Sequence, residues 1–201
     1  MDKPGPDVLI EAALDADPVQ VPDLDVSGDW EDFERTAAWV IDRLRDPFPS
    51  LHERLTWIWH DHFPVSWDKI DNPAFLVANQ RVLRRHALGN FRDLVNAILK
   101  DPAMLVYLDG VASTAEEPNK NLARELMELF TLGRGHYSAT DVRQAALALT
   151  GWDYDYESDE VVFDEELAYV GSTTILGTTG RHDSDDVADI VCAHPACAPL
   201  R

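Results

Sequence analysis

Apolar positions recur at helical spacing along most of this chain. Phe33, Ala37, Val40, Ile41 and Leu44 fall on one stripe, stopped by Asp46-Pro47 because proline pushes the residue before it out of helical conformation. Leu51, Leu55, Ile58 and His62 share the face of a second helix, which Pro64 ends. A third helix is expected from Pro73 to about Leu88, closed by Gly89. Asn90, with Asp93 three residues on, predicts a capping box opening Phe91 to Leu99, and Asp101-Pro102 predicts an N-cap and first helical residue for a short helix through Leu108. Asn119 or Asn121 is placed to cap Leu122 to Leu132, ended by Gly133; Ser138 or Thr140 is placed to cap a helix ending at Gly151. On a wheel, Leu122, Leu126, Leu129 and Phe130 make the core stripe of the former.

After Trp152 the period changes. WDYDYESDEVVFDEELAYVGSTTILG carries alternating, β-branched and aromatic residues, the pattern of a small hairpin or an extended excursion. Asp183 or Ser184 then caps a last helix, Asp185 to Cys192. The expected fold class is therefore mainly α: an irregular multi-helix domain with a small β-hairpin or extended excursion after Trp152. Residues 1–30, rich in Asp, Pro and Val, read as an acidic, loosely ordered lead-in holding at most a short helix at Val8 to Leu14, and 31–201 as a single helical domain.

Composition narrows the function classes. Acidic residues number 37 against 17 basic ones, and the net charge of -20 repels nucleic acid and anionic membrane over most of the surface. No apolar run is long enough to span a bilayer, and the first residues lack a basic segment followed by an apolar one, so neither a transmembrane segment nor a signal peptide is expected here. The compartment stays open. Cys192 and Cys197, the only two cysteines, flank His194; with one histidine they fall short of a four-ligand zinc site and read as buried or idle thiols.

Candidate chemistry gathers in a few places. His60-Asp61-His62 is the densest ionisable cluster: two histidines one residue apart chelate a metal from extended backbone, but on a helix they lie about 200° apart. The alternative for either is a packed, hydrogen-bonded histidine. Glu125 lies on the flank of its helix, where partial desolvation suits acid/base or metal-binding chemistry; the alternative is a solvated Glu125 beside an Arg124–Glu128 surface pair. His60 and Glu125 are the catalytic candidates, and His60, His62 and Glu125 the candidate ligands of a divalent transition metal. Arg81, Arg84 and Arg85, with His86, form a candidate anion-binding row, internal ion pairing being the alternative. Asn119 and Asn121, around Lys120, are further anion candidates at a helix mouth, where capping is the competing role. There is no nucleophile elbow G-x-S-x-G, no phosphate-cradling P-loop, no dinucleotide fingerprint and no H-E-x-x-H, so the common nucleotide and hydrolase chemistries have no footprint.

The blocks LHERLTWIWHDHF, NQRVLRRHALGNFRDLV, DPAMLVYLDG, PNKNLARELMELFTLGRGHYSATDV and ALALTGW, taken in order, resemble the bacterial family catalogued as domain of unknown function 1800. The resemblance implies a mainly helical protein of a family whose members are often exported and encoded beside a sulfatase-like secreted protein. It carries no reaction. Where similar sequences have Glu and Tyr, this chain has Lys120 and Leu122, and where many have a His-Asp pair before a glycine it has Ala168-Tyr169-Val170-Gly171. Relatives continue past HPACAPLR, so the resemblance implies a chain truncated at its C-terminus, with a missing C-terminal part as a possible partner. Two readings of function follow: a structural or partner-binding protein associated with a sulfatase-like exported protein, or a metal-assisted hydrolase acting on an extracellular polymer or sulfated substrate.

Overall fold

The computed structural model describes residues 30–45 and 50–197. The lead-in, the helix expected at Val8 to Leu14, the stop at Asp46-Pro47 and the side chain of Leu44 lie outside the described residues. Helix α1 (Trp30–Arg45) carries Glu31 and Asp32 in its first turn and Arg43 and Arg45 in its last, each sign complementing the helix dipole. Helices α2 (Leu51–His62), α3 (Trp67–Ile70), α4 (Pro73–His86), α5 (Phe91–Ile98) and α6 (Pro102–Tyr107) follow. Helix α7 (Asn121–Glu125) runs directly into a π-helical turn, Leu126–Thr131, and α8 (Ala139–Ala148) comes next. Two antiparallel hairpins, β1 (Trp152–Asp155) with β2 (Glu160–Phe163) and β3 (Thr173–Ile175) with β4 (Thr178–Gly180), precede α9 (Ser184–Ala193). The mainly α class holds, with two small hairpins where one was expected.

Short polar side chains start these helices. Asn72 accepts from the Ala74 amide at 2.9 Å, Asp101 from Met104 at 2.9 Å, and Ser138 and Asp183 each close a full capping box with Asp141 and Asp186. At α5 the expected capping box is a simple cap: Asn90 accepts from the Arg92 amide at 2.9 Å, while Asp93 is drawn aside to the Arg92 guanidinium at 3.1 Å. The main core lies between α4, α5, α6, the α7–π segment, α8 and α9, with Leu83, Leu94, Met104, Leu126, Met127 and Val187 fully buried.

Three expected apolar stripes are rotated. In α1 the buried positions are Asp32 and Thr36, with Phe33, Ala37 and Val40 half-buried and Ile41 exposed. The helix leans on α2 and α4, where Trp39 lies 4.5 Å from the Arg84 guanidinium, and Trp30 and Phe33 cluster with Trp67. In α2 the buried face is the expected one advanced by a single residue, His52, Thr56, Trp59 and Phe63 in place of Leu51, Leu55, Ile58 and His62, which is a turn of about 100°. Ile58 is 40% exposed. Two polar demands fix that rotation: Glu53 meets Arg84 at 2.5 Å in a buried ion pair, and the Trp59 indole N–H donates to the Ala87 carbonyl at 3.0 Å. After Glu125, the i→i+5 bonding of the π turn widens the repeat, so buried pairs recur every four residues (Leu122 and Ala123, Leu126 and Met127, Phe130 and Thr131) and Leu129 is left 60% exposed.

A second buried polar pair joins α4 to the start of α6. Asp101, 1% exposed, accepts from the Asn79 amide at 3.1 Å through the same Oδ1 that caps α6. Asp101 Oδ2 and Asn79 Oδ1 are buried without a hydrogen-bond partner among the described residues. Burial pushes the Asp101 carboxyl up to about 6, against the lowering effect of the Met104, Asn79 and Ala103 donors. Protonation removes the charge that this burial penalises.

Two stability tests follow from these pairs. Glu53→Ala leaves the Arg84 charge buried and uncompensated and should cost about 3–5 kcal/mol in urea unfolding, whereas replacing both partners by apolar residues of similar volume should recover most of it. For Asp101 the folded pKa lies above the unfolded one, so its contribution, on the order of 3 kcal/mol, is fully present below about pH 4 and lost as pH rises through about 6. Asp101→Asn keeps the cap and has no proton to lose. Its urea midpoint should be flatter than that of the wild type between about pH 4 and 8; equal slopes would rule out this role for Asp101.

Candidate functional site

His60 and His62 leave α2 in different directions and meet different partners. The Gln80 amide lies 3.2 Å from His60 Nδ1 and donates to it, and the His60 ring packs 5.3 Å from Trp57. Burial lowers the pKa of His60, with Asp61 partly opposing. His62 donates from Nε2 to the Phe130 carbonyl at 2.9 Å and sits among the rings of Trp59, Phe63, Phe91 and Phe130. Glu125 is half-buried, and its carboxylate has no hydrogen-bond or ion-pair partner among the described residues. Among those residues, no three His, Cys, Asp or Glu side chains are grouped so as to hold a metal ion.

The arginine row of α4 is divided. Arg84 is buried against Glu53, Arg81 is exposed and partnered, and Arg85 is exposed, where its charge adds to burial in lowering the pKa of His86 against the opposing Asp93. At the mouth of α7, Asn119 Oδ1 accepts from the Asn121 amide at 2.8 Å and the Asn119 amide donates to Ser113 Oγ at 3.0 Å. Asn119 thus holds the chain entering a five-residue helix, and Asn121 is that helix's first residue.

Glu128 does not make the Arg124 surface pair that was the alternative reading of this helix. The π turn swings it toward the loop ahead of α8, where Oε1 receives the Arg134 guanidinium at 2.5 Å and Oε2 receives the Tyr137 hydroxyl at 3.0 Å. The Arg134 bond, and then the Tyr137 bond, hold the Glu128 carboxyl below its usual range. Burial first and Glu128 second push the Tyr137 hydroxyl up. Asp141 Oδ1 then accepts from the Leu176 amide at 2.8 Å and Gln144 Oε1 from the Thr174 amide at 2.8 Å, fixing the β3–β4 hairpin against α8. The polar residues of GRGHYSATDV therefore form one chain of clasps from the π turn to the second hairpin.

That chain ends beside a cleft of about 630 Å³ between the β1–β2 hairpin, the segment after it and the start of α9. Trp152, Phe163 and Tyr169 give it an aromatic wall, with Trp152 and Phe163 edge to face at 5.2 Å. Gly151, at φ +104°, is required there, since a Cβ would come within 2.7 Å of the Phe163 ring and 2.9 Å of Ala168 Cβ. Opposite, Lys100 binds Asp185 at 2.6 Å and holds its carboxyl below the usual range, while Asp183 and Asp186 are engaged in the capping box of α9. His182 shares a hydrogen bond with Thr173 Oγ1 at 2.8 Å. Several polar groups on the lining have no partner among the described residues, among them the exposed Glu165 and Arg181 and the hydroxyl of Ser184, a residue only 9% exposed.

None of the sequence-predicted candidates lines this cleft. Its residues come from positions 100 to 186, and the only sequence signal was the aromatic and acidic alternation after Trp152 together with the capped start of α9. No curated protein and no solved structure matches the chain. A family model described as protein of unknown function (DUF1800) matches residues 8–200, spanning every described element. The chain belongs to the DUF1800 family.

Proposed function

We propose that this protein is a non-catalytic helical scaffold that binds a protein partner through the aromatic-walled cleft. The observation that carries the reading is a division of labour among polar groups. The histidines that suggested catalysis are engaged by Gln80 and by the Phe130 carbonyl, whereas Glu165, Arg181 and the Ser184 hydroxyl have no partner among the described residues and surround one concave aromatic surface. Four carboxylates against two cations on the lining favour a neutral or basic contact over a sulfate-bearing one. Ala168 and Tyr169 lie on that wall at the place where the family resemblance leads one to expect a His-Asp pair, which also favours binding over proton transfer. By the same resemblance, the partner is the sulfatase-like exported protein encoded nearby. The metal-assisted hydrolase has less support, because His60, His62 and Glu125 do not gather around one ion.

Two measurements test this. Glu165→Lys with Arg181→Glu changes exposed, unpartnered side chains, so urea stability should move by less than about 0.5 kcal/mol while affinity for the sulfatase-like protein, read by calorimetry, falls at least about tenfold. Equal affinity of variant and wild type, or no binding by either, would reject the cleft as the partner site. In the second, protein purified without added metal should carry far less than one transition-metal ion per chain by elemental mass spectrometry. His60→Ala should lose about 1–3 kcal/mol of stability by stranding the Gln80 amide, and Glu125→Ala should lose little. A near-stoichiometric metal lost in both variants would instead establish the hydrolytic reading.

A further inference from the structure

Helix α9 ends at Ala193, and the chain then doubles back. The His194 amide donates to the Val191 carbonyl at 3.3 Å and the Cys197 amide to the His194 carbonyl at 2.8 Å. Inside that turn the Ala196 amide donates to His194 Nδ1 at 3.1 Å. This folding brings Cys197 beside Cys192 in the last turn of α9. Both are half-buried and packed against the main core, and they are the only cysteines of the chain. A metal does not account for the pair: no third ligand is grouped with them among the described residues, and His194 Nδ1 is already an acceptor for backbone.

We propose that Cys192 and Cys197 form a dithiol–disulfide pair, closed by exchange with a disulfide oxidant, that staples the C-terminal end of α9 to the segment following it. The two thiols are not equivalent. Burial, and then the neighbouring Cys197, push the Cys192 thiol up to about 12, whereas burial raises Cys197 and the nearby Cys192 opposes it. Cys197 is therefore the attacking thiolate. It displaces one thiolate from the oxidant RSSR and forms a mixed disulfide. Cys192 gives its proton to solvent base, attacks Cys197 Sγ and expels the second thiolate. Two protein thiols are oxidised by two electrons and RSSR is reduced to two RSH. The six-residue ring that closes spans the last turn of the helix, where intrahelical hydrogen bonds are fewest and fraying begins.

Oxidised glutathione added to the native protein, followed by iodoacetamide and intact-mass measurement, reads the outcome directly. The expected product has lost the mass of two hydrogens, carries neither a carbamidomethyl group nor glutathione, and melts about 5 °C above the reduced protein. Cys192→Ser should accumulate a single glutathione on Cys197 faster than Cys197→Ser accumulates one on Cys192. A wild-type protein that stays doubly alkylated, or that ends with glutathione on both cysteines, would overturn the proposal, as would an oxidised form that melts no higher than the reduced one.

Discussion

The π-helical turn at Leu126–Thr131 organises what surrounds it. A wide turn leaves carbonyls that the i→i+4 ladder would have used, and several are taken up nearby: Leu126 O by the Thr131 hydroxyl at 2.6 Å, Met127 O by the Leu132 and Gly133 amides at 3.1 and 3.0 Å, and Phe130 O by His62. The last of these ties α2 to the end of the π turn across 68 positions of sequence. The same widening turns Glu128 away from its own helix and toward Arg134 and Tyr137, which sets the loop that leads into α8. Take out the extra residue and Leu129 rotates inward, Glu128 leaves its two donors and the Phe130 carbonyl moves off His62. A packing feature and three polar contacts therefore depend on one local change of helical pitch.

Helix ends were legible in the sequence because they depend on a few neighbouring residues. Asp101-Pro102, Ser138 with Asp141, Asp183 with Asp186, and the glycines at 133 and 151 all act within one turn of themselves. Helix faces were less legible. A stripe read from apolar residues assumes that polar ones point outward, and α2 breaks that assumption with Glu53, since Arg84 lies 31 residues away and cannot be assigned to it from spacing. Leu129 was misplaced for a related reason. The wheel assumes a constant pitch, and nothing in LMELFT marks the wider turn.

The cleft was invisible for a third reason. Lys100 and Asp185 are 85 positions apart, and Trp152, Phe163 and Tyr169 converge only because a hairpin folds over Gly151. The histidines show the reverse case, since His60 and His62 stand out in sequence by being close together. On an α-helix that spacing separates them, and each finds a partner from a different element. Density of ionisable residues along a chain and convergence of them in space are distinct properties here.

Charge sharpens the functional reading. With a net charge of -20, an acidic residue on the surface has many acidic neighbours and carries little information, and a cation without a carboxylate partner is informative chiefly where it faces a concave surface. Arg84 is committed to Glu53, Arg134 to Glu128, Lys100 to Asp185 and Lys69 to Asp109. Among the described residues Arg181 has no such partner at the rim of a concave aromatic surface, and it faces the same cleft as the equally unpartnered Glu165 and a nearly buried serine. On the proposed reading a contact from outside the chain completes the group, which makes the cleft, rather than the histidine cluster, the place to look for what this protein binds.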